Sequence, residues 1–256
     1  MRNTLAEADC WKAVTLSNPD HPGYKHCLRL RDMFPASSQH GPHICFVTDV
    51  LGTNLSVLRR SQPDGVFTVL VVKRIVKQML LALDYLHRNC RLIHTGAQEC
   101  SSISEYFQLL TASTTSDIKP DNIMVSLDHA DALIERHLEL NPAEVYAPRM
   151  KPDLSPDPII TVKTQCLPNF GLKPDLSNLN VRLVDFGHGA ESSHSTRLLT
   201  DNHKANPIKK HVQDEVQPRL LRAPEVILGH VWSTPIDIWS VGCLVIIILL
   251  PSRTVL

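Results

Sequence analysis

The chain has 256 residues, of which 43% are hydrophobic and 20% are charged, and this composition suits a folded globular protein and excludes an intrinsically disordered one. Lysine plus arginine and aspartate plus glutamate number 26 each, so no overall charge favours binding to nucleic acid or to a membrane surface. The seven cysteines are scattered without a C-x-x-C pair, which is typical of reduced thiols in a cytosolic or nuclear protein.

The first residues of the chain show the spacing of a helix. Apolar or aromatic residues stand at helical intervals at Leu5, Ala8, Trp11 and Val14. They predict one helix that ends before Asn18. Polar residues interrupt the apolar positions, so we expect no signal peptide.

A strand and a long helix follow. Residues 43–49 (HICFVTD) are rich in β-formers and predict a strand that leads into Val50, Leu51 and Gly52. Apolar residues then recur three and four positions apart and define the packing stripe of a helix: Val72, Ile75, Val76, Met79, Leu80, Leu83 and Leu86. The apolar run 241–250 is shorter than the ~20 residues that span a bilayer, so it predicts a buried helix and we expect no membrane partner.

The hexapeptide DIKPDN, Asp117 to Asn122, combines the side chains that phosphoryl transfer requires. Asp117 can accept the proton of an attacking hydroxyl, and Lys119 can neutralise charge on the transferred phosphoryl group. Asn122 can hold a metal ion. Ordinary turn chemistry also uses these residue types, so this motif alone leaves both interpretations open.

Three further motifs follow in a fixed order. VRLVDFG, residues 181–187, is an apolar strand that delivers an aspartate into a glycine turn. RAPEV lies at 222–226 and DIWSVGC at 237–243.

Together with DIKPDN, these motifs resemble the catalytic loop, the metal-binding Asp-Phe-Gly, the Ala-Pro-Glu and the central helix of eukaryotic protein kinases. The chain is further similar to the serine/arginine-rich protein kinase family, particularly its fungal members. His94-Thr95 stands where most kinases have His-Arg, NPDHPG (18–23) resembles that family's loop after the regulatory helix, and DVLGTNL (49–55) resembles its hinge.

The resemblance implies roles for the residues of these motifs. Asp117 would be the catalytic base, and Lys119 would stabilise the γ-phosphate of ATP. Asn122 and Asp185 would hold Mg²⁺.

The resemblance also implies a hinge that faces the adenine ring. Thr48 would be the gatekeeper, and the backbone from Asp49 to Leu51 would face the base. An ordinary strand and turn explains these side chains equally well, because none of them is specific to a purine.

For function, the resemblance implies transfer of phosphate from ATP to Ser or Thr of Arg/Ser-rich, splicing-factor-like proteins. We expect a protein of the cytoplasm and nucleus that takes part in regulation of mRNA splicing and binds no nucleic acid directly. The alternative is a catalytically inactive pseudokinase or interaction module, or the product of an incomplete gene model.

The implied fold is α+β and protein-kinase-like, but partial. Residues 1–52 would be a remnant of the small lobe, with the regulatory helix, two strands and the hinge. Residues 53–256 would be an incomplete, mainly α-helical large lobe. Only six residues precede Glu7, which falls where kinases carry the regulatory-helix glutamate, so its partner lysine and the Gly-rich loop are not in this chain. We therefore expect turnover far below that of an intact relative.

Two inserts depart from the family pattern. Residues 96–116 separate His94-Thr95 from Asp117, and they are either an intron retained in frame or a genuine regulatory loop. The second insert covers about 126–180. There, 128–140 predicts an amphipathic helix with Ala130, Leu133, Ile134 and Leu138 inward. Seven prolines from Pro142 to Pro174 then predict an extended segment that is either regulatory or a plain spacer.

Overall fold

A computed structural model describes residues 10–93, 118–127, 131–163, 165, 171–185, 190–191, 217, 221–230 and 232–251. Glu7, His94, Thr95, Asp117 and the block 96–116 lie outside the described residues, so the predictions made for them remain predictions. In chain order the helices and strands are α1 (10–16), β1 (Leu30–Ser38), β2 (Gly41–Thr48), β3 (Leu51–Asn54), α2 (Leu55–Arg60), α3 (Val69–Tyr85), β4 (Leu92–Ile93), β5 (Ile123–Ser126), α4 (Asp131–Leu140), β6 (Val181–Leu183), β7 (Ala190–Glu191), α5 (Pro224–Ile227) and α6 (Pro235–Leu249).

The N-terminal part combines α1 with a hairpin of β1 and β2. The two strands pair antiparallel from Leu30 opposite Thr48 to Ser38 opposite Gly41. Trp11 of α1 packs edge-on against Phe46 of β2, with ring centroids 5.1 Å apart. This helix and the two strands match the elements predicted for the small-lobe remnant.

The central sheet has three antiparallel strands in the order β3-β5-β6. Leu51 of β3 lies opposite Ser126, and Ile123 of β5 lies opposite Leu183. The side chains of Ile123, Val125, Val181 and Leu183 are fully buried and form the inner face of the sheet. The connection before β3 and the ends of β5 and β6 carry the residues that the sequence singles out.

Helix α3 packs across this sheet and confirms the predicted apolar stripe. Thr68 caps its first turn by accepting a hydrogen bond from the backbone N–H of Val71. Ile75, Met79 and Leu83 are fully buried. Leu80 was wrongly included in the stripe: it is 41% exposed because it lies at the edge of the contact with α6.

Helix α6 packs against α3 through Val241, Leu244 and Ile248, which are buried. The prediction of a buried helix here is therefore correct for one face, whereas Ile246 on the other face is 56% exposed. None of the helices in the described ranges is long and apolar enough to cross a membrane.

The segment between β5 and β6 is helical first and then extended, as predicted. The inward position assigned to Leu138 is wrong, because this side chain is 49% exposed and residues 141–154, which follow the helix, are themselves mostly exposed. The proline-rich part folds back on itself through hydrogen bonds in both directions between the backbones of Arg149 and Ile159.

Gly23 permits the closest approach between the loop after α1 and helix α3. A Cβ atom at this position would lie 1.9 Å from the carbonyl oxygen of Leu81. Such a contact would force the loop away from the helix.

We therefore predict that Gly23→Ala destabilises the protein by about 1 to 3 kcal/mol, the usual cost of overpacking. Gly242→Ala is the matched control: at this exposed position in α6 an added methyl carbon would meet no atom within 4 Å, so the change should stabilise by about 0.5 to 1 kcal/mol through helix propensity. Urea unfolding followed by circular dichroism measures both. Equal effects of the two substitutions would contradict the assigned contact.

Candidate active site

The second half of the DIKPDN motif forms a tight turn that leads directly into β5. Ile118 is fully buried and anchors the segment, and Pro120 begins a 3₁₀ turn at Pro120–Asn122. The backbone N–H of Asn122 donates to the carbonyl of Lys119 at 3.0 Å. Asn122 is only 8% exposed, so its amide is held at the beginning of the strand.

Asp185 comes two residues after β6 and meets Asn122 there. The backbone N–H of Val184 donates to the carbonyl of Asn122 at 3.0 Å and extends the pairing of the two strands. Asp185 has a φ of +67°, a left-handed conformation that aspartate tolerates better than most residues. The amide Nδ2 of Asn122 then donates to Asp185 Oδ2 at 3.3 Å. The structure thus brings together the two residues predicted to bind a metal.

The outer edge of β6 is covered by a backbone contact from Leu28, whose N–H donates to the carbonyl of Leu183 at 2.9 Å, and by side chains. Buried Gln78 of α3 accepts a hydrogen bond from the N–H of Val181 at 2.7 Å and donates to the carbonyl of Leu179 at 2.9 Å. His26 Nδ1 lies 3.1 Å from the carbonyl of Val181, and burial lowers the pKa of His26, so the neutral ring donates this hydrogen bond. These contacts fix the strand that carries Asp185.

The predicted hinge residues lie between β2 and β3. Thr48 ends β2 and donates through its hydroxyl to the carbonyl of Asp49 at 3.2 Å. Leu51 begins β3 opposite Ser126, at the end of β5 away from Asn122. Ser126 lies four positions after Asn122 along the strand, which is roughly 13 Å at the usual rise per residue. The hinge and the Asn122–Asp185 pair therefore occupy opposite ends of one strand, a separation that an extended nucleoside triphosphate can span.

Asp49 is the centre of an ion cluster that the sequence did not predict. Its carboxylate pairs with Arg29 at 2.7 Å, with Arg31 at 2.5 Å, and with Arg182 of β6. Burial alone would raise the pKa of Asp49, but hydrogen bonds from Arg29 and Arg31 and the charge of Arg182 outweigh it and lower the pKa to about 2. The hinge is thereby tied both to the beginning of β1 and to β6.

Oxygen ligands from asparagine and aspartate suit Mg²⁺, which proteins commonly hold through one or two side chains while phosphates and water complete the shell. No cluster of three or more His, Cys, Asp or Glu side chains that could hold a metal occurs in the described parts of the chain. Asn122 and Asp185 therefore fit an ion that shares its coordination with a bound nucleotide.

Sequence reasoning missed Gln78, although a signal was present. This residue is a polar side chain at a buried position of the apolar stripe of α3, three residues after Ile75. A polar group there requires a partner, because an unsatisfied buried amide costs free energy. The partner is the backbone of residues 179–181.

The low pKa of Asp49 predicts how stability depends on pH. Its pKa is about 2 in the folded protein, compared with ~3.9 for an unperturbed aspartate. The ion pairs therefore stabilise the fold fully above about pH 5, and this contribution is lost progressively as pH falls from about 4 to 2.

We predict that Asp49→Asn lowers the free energy of unfolding at pH 6 and that the difference from the unsubstituted protein shrinks toward pH 2.5. Urea unfolding at several pH values measures it. Glu144→Gln, which breaks the exposed pair with Lys163, is the control and should change stability by at most about 1 kcal/mol. If Asp49→Asn lowered the free energy of unfolding by the same amount at both ends of this pH range, the result would contradict the assigned ion cluster.

Similarity to known proteins is found in both sequence and structure, although no protein-family model matches the chain. It is 31% identical over 244 residues to the serine/threonine-protein kinase SRPK of Physarum polycephalum, covering 94% of this chain and 49% of that protein. It is 28% identical over 291 residues to protein kinase dsk1 of Schizosaccharomyces pombe, covering 88% of this chain and 49% of that protein. A crystal structure of a kinase domain matches 98% of this chain and 53% of its own, with a TM-score of 0.55 and 22% sequence identity.

The chain spans about half the length of the curated relatives it matches. The structural match supports the fold, which is the predicted partial, protein-kinase-like α+β arrangement. The relatives cover most of the chain and are kinases of the serine/arginine-rich type. The chain is therefore similar over most of its length to kinases of the serine/arginine-rich protein kinase family.

Proposed function

We propose that the chain is a serine/threonine protein kinase domain, which transfers the γ-phosphate of ATP to Ser or Thr in Arg/Ser-rich proteins. The observation that carries this proposal is the juxtaposition of Asn122 and Asp185, whose side chains are 3.3 Å apart at the adjoining ends of β5 and β6. Two hard oxygen-bearing groups held on a rigid sheet are suited to binding a nucleotide through a shared divalent ion.

Each residue of the motif has a distinct task in this proposal. Asn122 and Asp185 hold Mg²⁺, which when bound neutralises charge on the nucleotide phosphates. Lys119 lies in the same turn as Asn122 and supplies positive charge for the transferred phosphoryl group. Asp117, which precedes buried Ile118, accepts the proton of the substrate hydroxyl.

The adenine end of the nucleotide is assigned to the hinge. The backbone of Asp49 to Leu51 offers hydrogen-bonding groups to the base, and Thr48 borders the same site. Support comes from the sheet, because Leu51 pairs with Ser126 at one end of β5 and Asn122 directly precedes the other end. A nucleotide bound along this sheet would therefore reach both sites.

Substrate class and location are proposed by analogy with the similar kinases. The proposed substrates are Arg/Ser-rich proteins of the splicing-factor type, and the proposed compartments are the cytoplasm and the nucleus. Direct binding to nucleic acid is not part of the proposed function, and the balanced charge of the chain agrees with this.

We predict that the protein transfers labelled phosphate from ATP to an Arg-Ser repeat peptide in the presence of Mg²⁺. Asp117→Ala and Asp185→Asn should each reduce the rate by at least about 100-fold, because each removes a group that acts on the reacting atoms or their counter-ion. Asp153→Asn is the control: this exposed aspartate lies in the proline-rich segment and should leave the rate unchanged.

The outcomes separate the two classes of function. Transfer that persists in Asp117→Ala would contradict the assigned base. Thermal stabilisation by Mg-ATP without phosphate transfer would contradict the kinase proposal and favour a non-catalytic nucleotide-binding module.

A further inference from the structure

The side chain of Asp49 connects the two ends of the proposed nucleotide site. We propose that Asp49 is a positioning residue, which holds Arg182 and through β6 sets the place of Asp185. This inference rests on the proposed function, because it concerns the side chains that would bind the metal and the nucleotide. It adds a role for the hinge carboxylate beyond the backbone contacts assigned to that segment.

The ion cluster is largely removed from water on the side that faces β6. The Asp49 side chain is 14% exposed and that of Arg182 is 12% exposed, whereas Arg31 is 56% exposed. Ion pairs screened by solvent contribute little, so the contact with Arg182 restrains the structure more strongly than the contact with Arg31. Arg29, at 22% exposure, lies between these extremes.

Arg182 is well placed to transmit this restraint. It lies opposite Met124 in the pairing of β5 with β6, three residues before Asp185. Its neighbours Val181 and Leu183 point into the core, so Arg182 points to the other face of the sheet, where Asp49 holds it.

The remaining contacts of β6 act on its edges. Gln78 and His26 bind the backbone at Leu179 and Val181, and β5 occupies the opposite edge. The contact between Asp49 and Arg182 is the side-chain restraint nearest to Asp185 among these. Backbone hydrogen bonds from Leu28 to Leu183 and from Val184 to Asn122 also hold the edges of the strand, and the contact with Asp49 adds a restraint on the face from which Arg182 projects. Without that restraint, the left-handed turn that presents Asp185 to Asn122 would be less well defined.

Charge makes the effect of each substitution distinct. Three guanidinium groups share one carboxylate, so removing Asp49 leaves three like charges close together and repels Arg182 from its position. Removing Arg182 leaves Asp49 paired with Arg29 and Arg31, which keeps the hinge attached to β1 but releases β6. Arg31→Gln removes a partner of the same carboxylate without touching β6.

The test is the affinity of the full chain for Mn²⁺ in the presence of a non-hydrolysable ATP analogue, measured by electron paramagnetic resonance of free Mn²⁺. Arg182→Gln and Asp49→Asn should each weaken Mn²⁺ binding by about 10- to 100-fold, the usual effect of losing a group that orients a metal ligand. Arg31→Gln is the matched control and should stay within about 2-fold of the unsubstituted protein, since it is exposed. Asp49→Glu, which keeps the charge, should recover part of the affinity lost in Asp49→Asn.

Folding of each variant is checked by thermal unfolding followed by circular dichroism. If Arg182→Gln does not fold, Arg182→Lys takes its place, because it keeps the charge and loses the planar fork that pairs with a carboxylate.

Equal Mn²⁺ affinities of the Arg182 and Arg31 variants, in a protein that binds the metal with the nucleotide analogue, would overturn this inference and leave the proposed function intact. An unsubstituted protein without metal-dependent nucleotide binding would overturn both. We expect weaker Mn²⁺ binding in Arg182→Gln and Asp49→Asn but not in Arg31→Gln. We also expect partial recovery of the affinity in Asp49→Glu.

Discussion

The candidate site depends on a single antiparallel pairing, that of β5 with β6. Ile123 opposite Leu183 sets the register, and this register places Asn122 beside Asp185 although the two residues are 63 positions apart in the chain. A slip of β6 by one residue would turn its buried Val181 and Leu183 toward the wrong face and separate the two polar side chains. The hydrophobic pattern of the strands therefore determines where the metal-binding groups meet.

Buried polar contacts secure this register from the side of α3. Gln78 satisfies backbone groups on the outer edge of β6, which would otherwise be left without a strand partner. Removing its amide would leave a buried N–H and a buried C=O without a hydrogen-bond partner, which costs ~1 to 3 kcal/mol for each group. The long helix thus has a role beyond apolar packing, because it defines the strand that ends at Asp185. His26 adds a neutral donor to the same edge.

Local patterns in the sequence predicted much of this arrangement. The spacing of Ile75, Met79 and Leu83 predicted α3, because helical periodicity is contained in neighbouring residues, and the resemblance of two short motifs to those of kinases predicted that Asn122 and Asp185 would meet. The ion cluster of Asp49 was not predictable in this way. Its partners Arg29 and Arg182 are 20 and 133 positions away, and no local periodicity reports such a contact. The exposure of Leu138 was missed for a similar reason, since burial depends on what packs above a helix.

The central claim is that Asn122 and Asp185 share one divalent ion with a nucleotide. The most direct measurement is the anomalous diffraction of a crystal grown with Mn²⁺ and a non-hydrolysable ATP analogue. The account predicts an anomalous peak within coordination distance of both side chains, next to the phosphates of the analogue. A nucleotide whose metal lies away from these two residues, or a peak bound to only one of them on a different face of the sheet, would contradict it.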